Sequence, residues 1–137
     1  MWIIEDTRQQ EEKHNIKHRW FEDNNSSLIR CKLPFGDYSK PPKVAVDTKK
    51  GLPEIANNIC GAKTEHQRFK RECISARDAG CKLIFLIEND EGISDINQVH
   101  LWKNPRTPYN PKCVQGPRLQ KAMKTMSERY GCIFLFC

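Results

Sequence analysis

Residues 81–88, Cys-Lys-Leu-Ile-Phe-Leu-Ile-Glu, form an unbroken apolar run. The run is far shorter than the roughly 20 residues a membrane-spanning helix requires. Its length and its content of Ile and Phe predict a strand of the kind buried on both faces of a sheet. Such a strand needs helices packed over it, so the chain is predicted to be an α/β protein.

The remaining segments supply those helices and more strands. The opening MWIIED is a short apolar run predicted to be a buried first strand, and the polar stretch 7–27 reads as loop or helix. Residues 28–33 alternate strictly, with Leu28, Arg30 and Lys32 against Ile29, Cys31 and Leu33, which predicts a half-buried strand. Residues 34–42, PFGDYSKPP, read as a turn, and 43–49, KVAVDTK, as the next strand. Pro53 sits at the first turn of a helix with Ile55 and Ile59 one turn apart and Gly61 as its stop. A second helix opens with a Thr64/Gln67 capping-box pattern, carries Phe69, Cys73 and Ala76 along one stripe, and closes at Gly80. Residues 89–113 are turn-rich and predict a long connection. A helix then starts near Pro117, presents Leu119, Ala122, Met123, Met126 and Tyr130 on one face and ends at Gly131, before the buried strand CIFLFC. This order describes an α/β sandwich around a mixed sheet.

At 137 residues, 38% hydrophobic and 29% charged, the chain is expected to form one compact domain spanning 1–137. The start lacks the basic and long apolar regions of a signal peptide and no apolar run is long enough to span a bilayer, so the chain reads as cytoplasmic, with no membrane partner. Seven cysteines occur without a CxxC pair, which suggests neither a disulfide framework nor a zinc ribbon. The net charge of +6 is unevenly placed. Residues 101–130 hold seven basic residues against Glu128 alone, while residues 1–100 carry sixteen of each sign. One late segment therefore carries the excess, as a polyanion-binding surface or as a solvated helix face.

The strand at 43–49 raises the question of chemistry. Side chains alternate along a strand, so Ala45, Asp47 and Lys49 share one face and Val44, Val46 and Thr48 the other. The preceding turn can bring Asp37 beside them. Two carboxylates in a small volume repel each other unless a cation lies between them, and all-oxygen ligands favour Mg²⁺ or Mn²⁺. A lysine beside them can orient a water or stabilise charge on a phosphate in flight. The chemistry this points to is phosphodiester hydrolysis; the alternative is a surface ion pair at a strand end.

Taken in order, WIIEDTRQ, KLPFGDYSKPPKVAVDTKKGLPEIANNI, HQRFKREC and LIFLIE resemble the nuclease domain of the XPF-type structure-specific endonucleases, a branch of the PD-(D/E)XK superfamily. The likeness is nearest to the small single-domain versions of phages and bacteria. Asp6 and Arg8 match that family's first motif, Gly36 and Asp37 its Gly-Asp turn, and Asp47 and Lys49 the outer members of its third. Gln9 stands where the family has Glu, Asp47 replaces Glu and Thr48 replaces Arg; Glu5, Glu11 or Glu12 could stand in for the acid missing at position 9. Glu54 meets the later acidic position only with a one-residue shift.

The resemblance implies a restriction-endonuclease-like, three-layer α/β/α sandwich and a metal-dependent DNA endonuclease acting on flapped, branched or recombining DNA. Asp37, Asp47 and Lys49 would be catalytic, with Asp6, Asp37, Asp47 and Thr48 holding Mg²⁺ or Mn²⁺. Arg8, Lys50, Arg68, Arg118, Lys121 and Lys124 would bind duplex or branched DNA, and a second copy of the chain is a further partner. Two other readings stay open: a catalytically silent nucleic-acid-binding module, and a Holliday-junction resolvase or RNase of the same superfamily. Glu88 reads as a supporting acid or a turn residue, and His66 as a neighbour of the site or a surface histidine.

Overall fold

The computed structural model describes residues 1–40 and 43–137, with the side chains of Glu11 and Glu12 outside the described set. Pro41 and Pro42, part of the expected turn, also lie outside it, as does the substitution of Glu11 or Glu12 for a missing ligand. Six strands form one mixed sheet: β1 (Trp2–Glu5), β2 (Ser27–Arg30), β3 (Tyr38–Lys40), β4 (Val44–Lys49), β5 (Lys82–Ile87) and β6 (Ile133–Phe136). Their order across the sheet is β2-β1-β3-β4-β5-β6. The pairs β1/β2, β4/β5 and β5/β6 are parallel, while β3 runs antiparallel to both β1 and β4.

Helices α2 (Leu52–Cys60), α3 (Lys63–Asp78) and α4 (Gly116–Tyr130) cover the face that carries Leu83, Phe85, Ile87 and Phe134. Phe85 stacks on Phe69 of α3 at 4.5 Å and on Phe134 at 5.4 Å, which seats α3 across the strands. Leu52, Ile55, Leu119 and Met123 are fully enclosed, each contributing about 1.5–3 kcal/mol relative to an exposed side chain. On the opposite face α1 (Asn15–Asp23) lies over β1 and β3, with His18 Nε2 2.7 Å from Glu5 Oε1 and the Phe21 ring 5.7 Å from Tyr38. The architecture is therefore an α/β/α sandwich with one thick and one thin helical layer. Among the described residues no helix is long and apolar enough to cross a membrane.

Several expectations change in detail. The segment expected to be only a turn contributes β3, because Tyr38, Ser39 and Lys40 pair with Val46, Ala45 and Val44. Strand β2 stops at Arg30, short of Leu33, and Trp2 of β1 is exposed. Neither β5 nor β6 is buried on both faces. Ile84, Leu86 and Ile133 are half-buried and Leu135 is exposed, all on the face opposite α2, α3 and α4. The Thr64/Gln67 capping box does not form: α3 already begins at Lys63, its N-cap is Ala62, and no side chain caps it. The C-terminal stop of α4 is as expected, with Gly131 at φ +70°, a left-handed conformation that glycine adopts without a Cβ penalty. All seven cysteines are free, with Cys73 and Cys132 in the core.

Candidate active site

The Gly-Asp turn is built by close backbone approach. Gly36 has φ +71°, and a Cβ there would lie 3.2 Å from both the Ala45 Cβ and the Val46 carbonyl oxygen, so a larger residue would be both strained and crowded. The turn fixes Asp37, whose N–H donates to Val46 O at 2.7 Å and whose carbonyl accepts from Asp6 N–H at 2.7 Å. The ends of β1, β3 and β4 thus meet at one point. The Asp37 carboxylate is held at both oxygens: Oδ2 accepts from the Thr48 N–H (2.7 Å) and hydroxyl (2.8 Å), and Oδ1 accepts from the Gln9 side-chain amide.

Strand alternation puts Ala45, Asp47 and Lys49 on the buried face of β4, as expected. Lys49 Nζ lies 3.1 Å from Asp47 Oδ1, 3.9 Å from Glu54 Oε1 and 5.7 Å from the centre of the Phe85 ring. Burial would lower the Lys49 ammonium, but the charge and hydrogen bond of Asp47, with Glu54 and Glu72 behind them, hold it above its ordinary value. The Asp47 carboxyl is pushed up to about 8, first by burial and then by Glu72 and Asp37, against the pull of Lys49.

Glu72 is the residue that sequence reasoning missed. From α3 its Oε1 accepts the Gly36 N–H at 2.9 Å, and its carboxylate is among the groups that push the Asp47 carboxyl up. A signal was present: Phe69, Glu72, Cys73 and Ala76 fall on one helical stripe, so a carboxylate stands in a core-facing row.

The other candidates divide. The buried Asp6 turns its carboxylate to the Arg8 guanidinium and to the N–H groups of Arg8 (3.2 Å) and Leu33 (3.4 Å). Burial raises its carboxyl, but these donors together outweigh that and hold it below its usual value. Arg8 also donates to Leu33 O at 2.8 Å. Asp6, Arg8, Gln9, Asp37, Asp47, Thr48, Lys49, Lys50, Arg68 and Glu72 all line one open cleft of about 1180 Å³, with Lys13, Lys17 and Arg71 adding positive charge to its walls. Arg68 is paired with Glu65 at 2.8 Å, and Glu88 with Lys17 at 2.7 Å. His66 is turned away, its Nδ1 2.8 Å from Ile59 O. Arg118 and Lys121 are exposed on α4 and Lys124 is half-buried there; none of the three lines the cleft.

The donor set suits a hard divalent cation. Among the described residues no three His, Cys, Asp or Glu side chains form a ready-made cage. Mg²⁺ is commonly bound through one or two carboxylates and completes its shell with water and phosphate oxygens. Asp37 and Asp47 would supply that pair, and the crowding of Asp47 by Glu72 and Asp37, which Lys49 opposes, would be relieved by added positive charge.

No family model matches the sequence, and no curated protein matches it. The fold does have solved counterparts. It is similar to XPF from Aeropyrum pernix, with a TM-score of 0.62 at 15% identity over 99% of this chain and 53% of that one. It is likewise similar to the same protein in complex with DNA, with a TM-score of 0.65 at 16% identity over 98% of this chain and 55% of that one. The chain thus spans about half the length of these structures. At such identity the likeness is one of fold: the six-stranded mixed sheet with its helices is a restriction-endonuclease-like sandwich.

Proposed function

We propose that residues 1–137 form a single nuclease domain that hydrolyses DNA phosphodiester bonds with Mg²⁺ or Mn²⁺ and acts on flapped, branched or recombining DNA. One observation carries the reading: Asp47 and Lys49, 3.1 Å apart, line the same open cleft as Asp37, and basic side chains surround them. A deep ion pair is a costly way to stabilise a strand, whereas a cleft wall gives it access to substrate. The solved relative that carries DNA supports the choice of ligand.

In this proposal Asp37 and Asp47 hold the ion, and Thr48, whose N–H and hydroxyl already serve Asp37, offers only its carbonyl. Asp6 acts behind them, fixing Arg8 and the end of β1. The bound ion would polarise the phosphate and acidify its water. Lys49 orients the attacking water and meets negative charge developing on the phosphate. Arg8, Lys50 and Arg68 grip flanking phosphates, and α4 extends the grip through Arg118, Lys121 and Lys124. A second copy of the chain would let two clefts engage one branched substrate.

The second reading, a silent nucleic-acid-binding module, draws on Gln9. Its amide and Thr48 together fill both Asp37 oxygens with protein donors. Labelled single-stranded, duplex, flap and four-way DNA, with a matching RNA set, incubated with Mg²⁺ or Mn²⁺ separates the two: the nuclease cuts at least one, and the silent module binds without cutting.

A further inference from the structure

Every ion pair found among the described residues joins partners within residues 5–88. By contrast residues 96–127 contain six Lys or Arg and no Asp or Glu. Lys103, Arg106 and Lys112 are exposed on the connection before α4, with no carboxylate partner among the described residues. At the same place Tyr109 is 91% exposed.

This connection has a built shape. The Asn104 side chain is buried; its Nδ2 donates to Val114 O at 2.9 Å and its Oδ1 accepts the Arg106 N–H at 2.9 Å. The Thr107 hydroxyl donates to Asn104 O at 2.6 Å and accepts from Gln115 Nε2 at 2.9 Å. The N–H groups of Tyr109 and Asn110 both donate to Arg106 O, at 3.0 and 2.8 Å. Pro105, Pro108 and Pro111 restrict the backbone further. The entropy of ordering is thus met by the protein before any ligand arrives.

We propose that residues 103–112 are a preformed platform for single-stranded nucleic acid, on which Tyr109 stacks against an unpaired base while Lys103, Arg106 and Lys112 hold the flanking phosphates. A duplex keeps its base faces stacked on each other, so an aromatic ring at a loop tip finds a π-face only where the strand is unpaired. Helix α2, which lines the cleft through Glu54 and Asn58, packs against α4 at the end of this connection. A branched substrate would then lie with duplex at the cleft and its free strand on the platform. The proposal rests on the nucleic-acid reading above and names the part of the substrate that this loop selects.

The test is fluorescence anisotropy in EDTA, which excludes cleavage, with labelled oligo-dT, blunt duplex and forked duplex. Tyr109→Ala should weaken oligo-dT and fork binding by about five-fold or more and change blunt-duplex binding by less than about two-fold; Tyr109→Phe should bind as wild type. Arg106→Ala with Lys112→Ala should lower the salt slope for oligo-dT by roughly 1.4, about 0.7 per lost phosphate contact. Unchanged oligo-dT affinity in Tyr109→Ala, or equal weakening on all three DNAs, would overturn the platform. Wild type that cuts duplex DNA with Mg²⁺ yet does not bind oligo-dT would overturn it while leaving the nuclease standing. Selective oligo-dT binding without cleavage of any substrate would support the platform and remove the nuclease.

Discussion

Glu72 on α3 and Gly36 in the turn before β3 are joined by a 2.9 Å hydrogen bond, and the same carboxyl group reaches Asp47 on β4. A helix is thereby tied to the turn that places Asp37. Glu72→Ala should leave the Gly36 N–H without its acceptor and cost about 1–3 kcal/mol in denaturant unfolding. Glu72→Gln keeps an acceptor and should lose less than half of that. Equal stability of all three proteins would show that the tie contributes nothing.

A pH dependence follows from Asp47. Its carboxyl rises from 3.8 to about 8 on folding, through burial, Glu72 and Asp37, with Lys49 opposing. The folded chain therefore holds more protons than the unfolded chain between these values, and stability falls as pH rises through that window. In EDTA, wild type should lose about 1–3 kcal/mol relative to Asp47→Asn between pH 5 and pH 8. A constant difference across that range would place Asp47 in an ordinary carboxylate environment.

The basic helix gives a binding prediction independent of the cleft. Arg118, Lys121 and Lys124 do not line it, so replacing all three by Ala should weaken duplex binding for every sequence alike. The slope of log affinity against log salt should fall by up to ~3, roughly one unit per phosphate contact. Salt titrations of the triple variant and wild type on two unrelated duplexes check this. An unchanged slope would make the helix a solvated face and leave phosphate binding to Arg8, Lys50 and Arg68.

Much of the site was legible because strand alternation is a short-range rule: it put Asp47 and Lys49 on one face of β4 before any tertiary contact was known. The Gly36–Asp37 turn was readable for the same reason. What escaped depends on contacts distant in sequence. Strand β3 sits in a Pro- and Gly-containing segment whose composition reads as turn, and only its pairing with β1 and β4 makes it a strand. The run at 81–88 looked buried on both faces, but every second residue of β5 is only half-buried at best, and how fully a face is covered cannot be read from the strand itself. Glu72 was passed over because its row on α3 is otherwise apolar, and its purpose appears only with Asp47 and Gly36 opposite. Gln9 stood out as a departure from the family pattern, yet its hydrogen bond to Asp37 spans 28 residues.

The central claim is that Asp37, Asp47 and Lys49 form a metal-dependent phosphodiesterase site. The most direct measurement is single-turnover cleavage of labelled duplex, flap and four-way DNA with Mg²⁺ or Mn²⁺ by wild type and by Asp37→Asn, Asp47→Asn and Lys49→Ala. Wild type should cut at least one substrate only when metal is present. Both Asn variants should be inactive, and Lys49→Ala should be slower by ~10²-fold or more while still binding Mn²⁺. Undiminished cleavage in Asp37→Asn or Asp47→Asn, or no cleavage of any substrate by wild type with either metal, would contradict it.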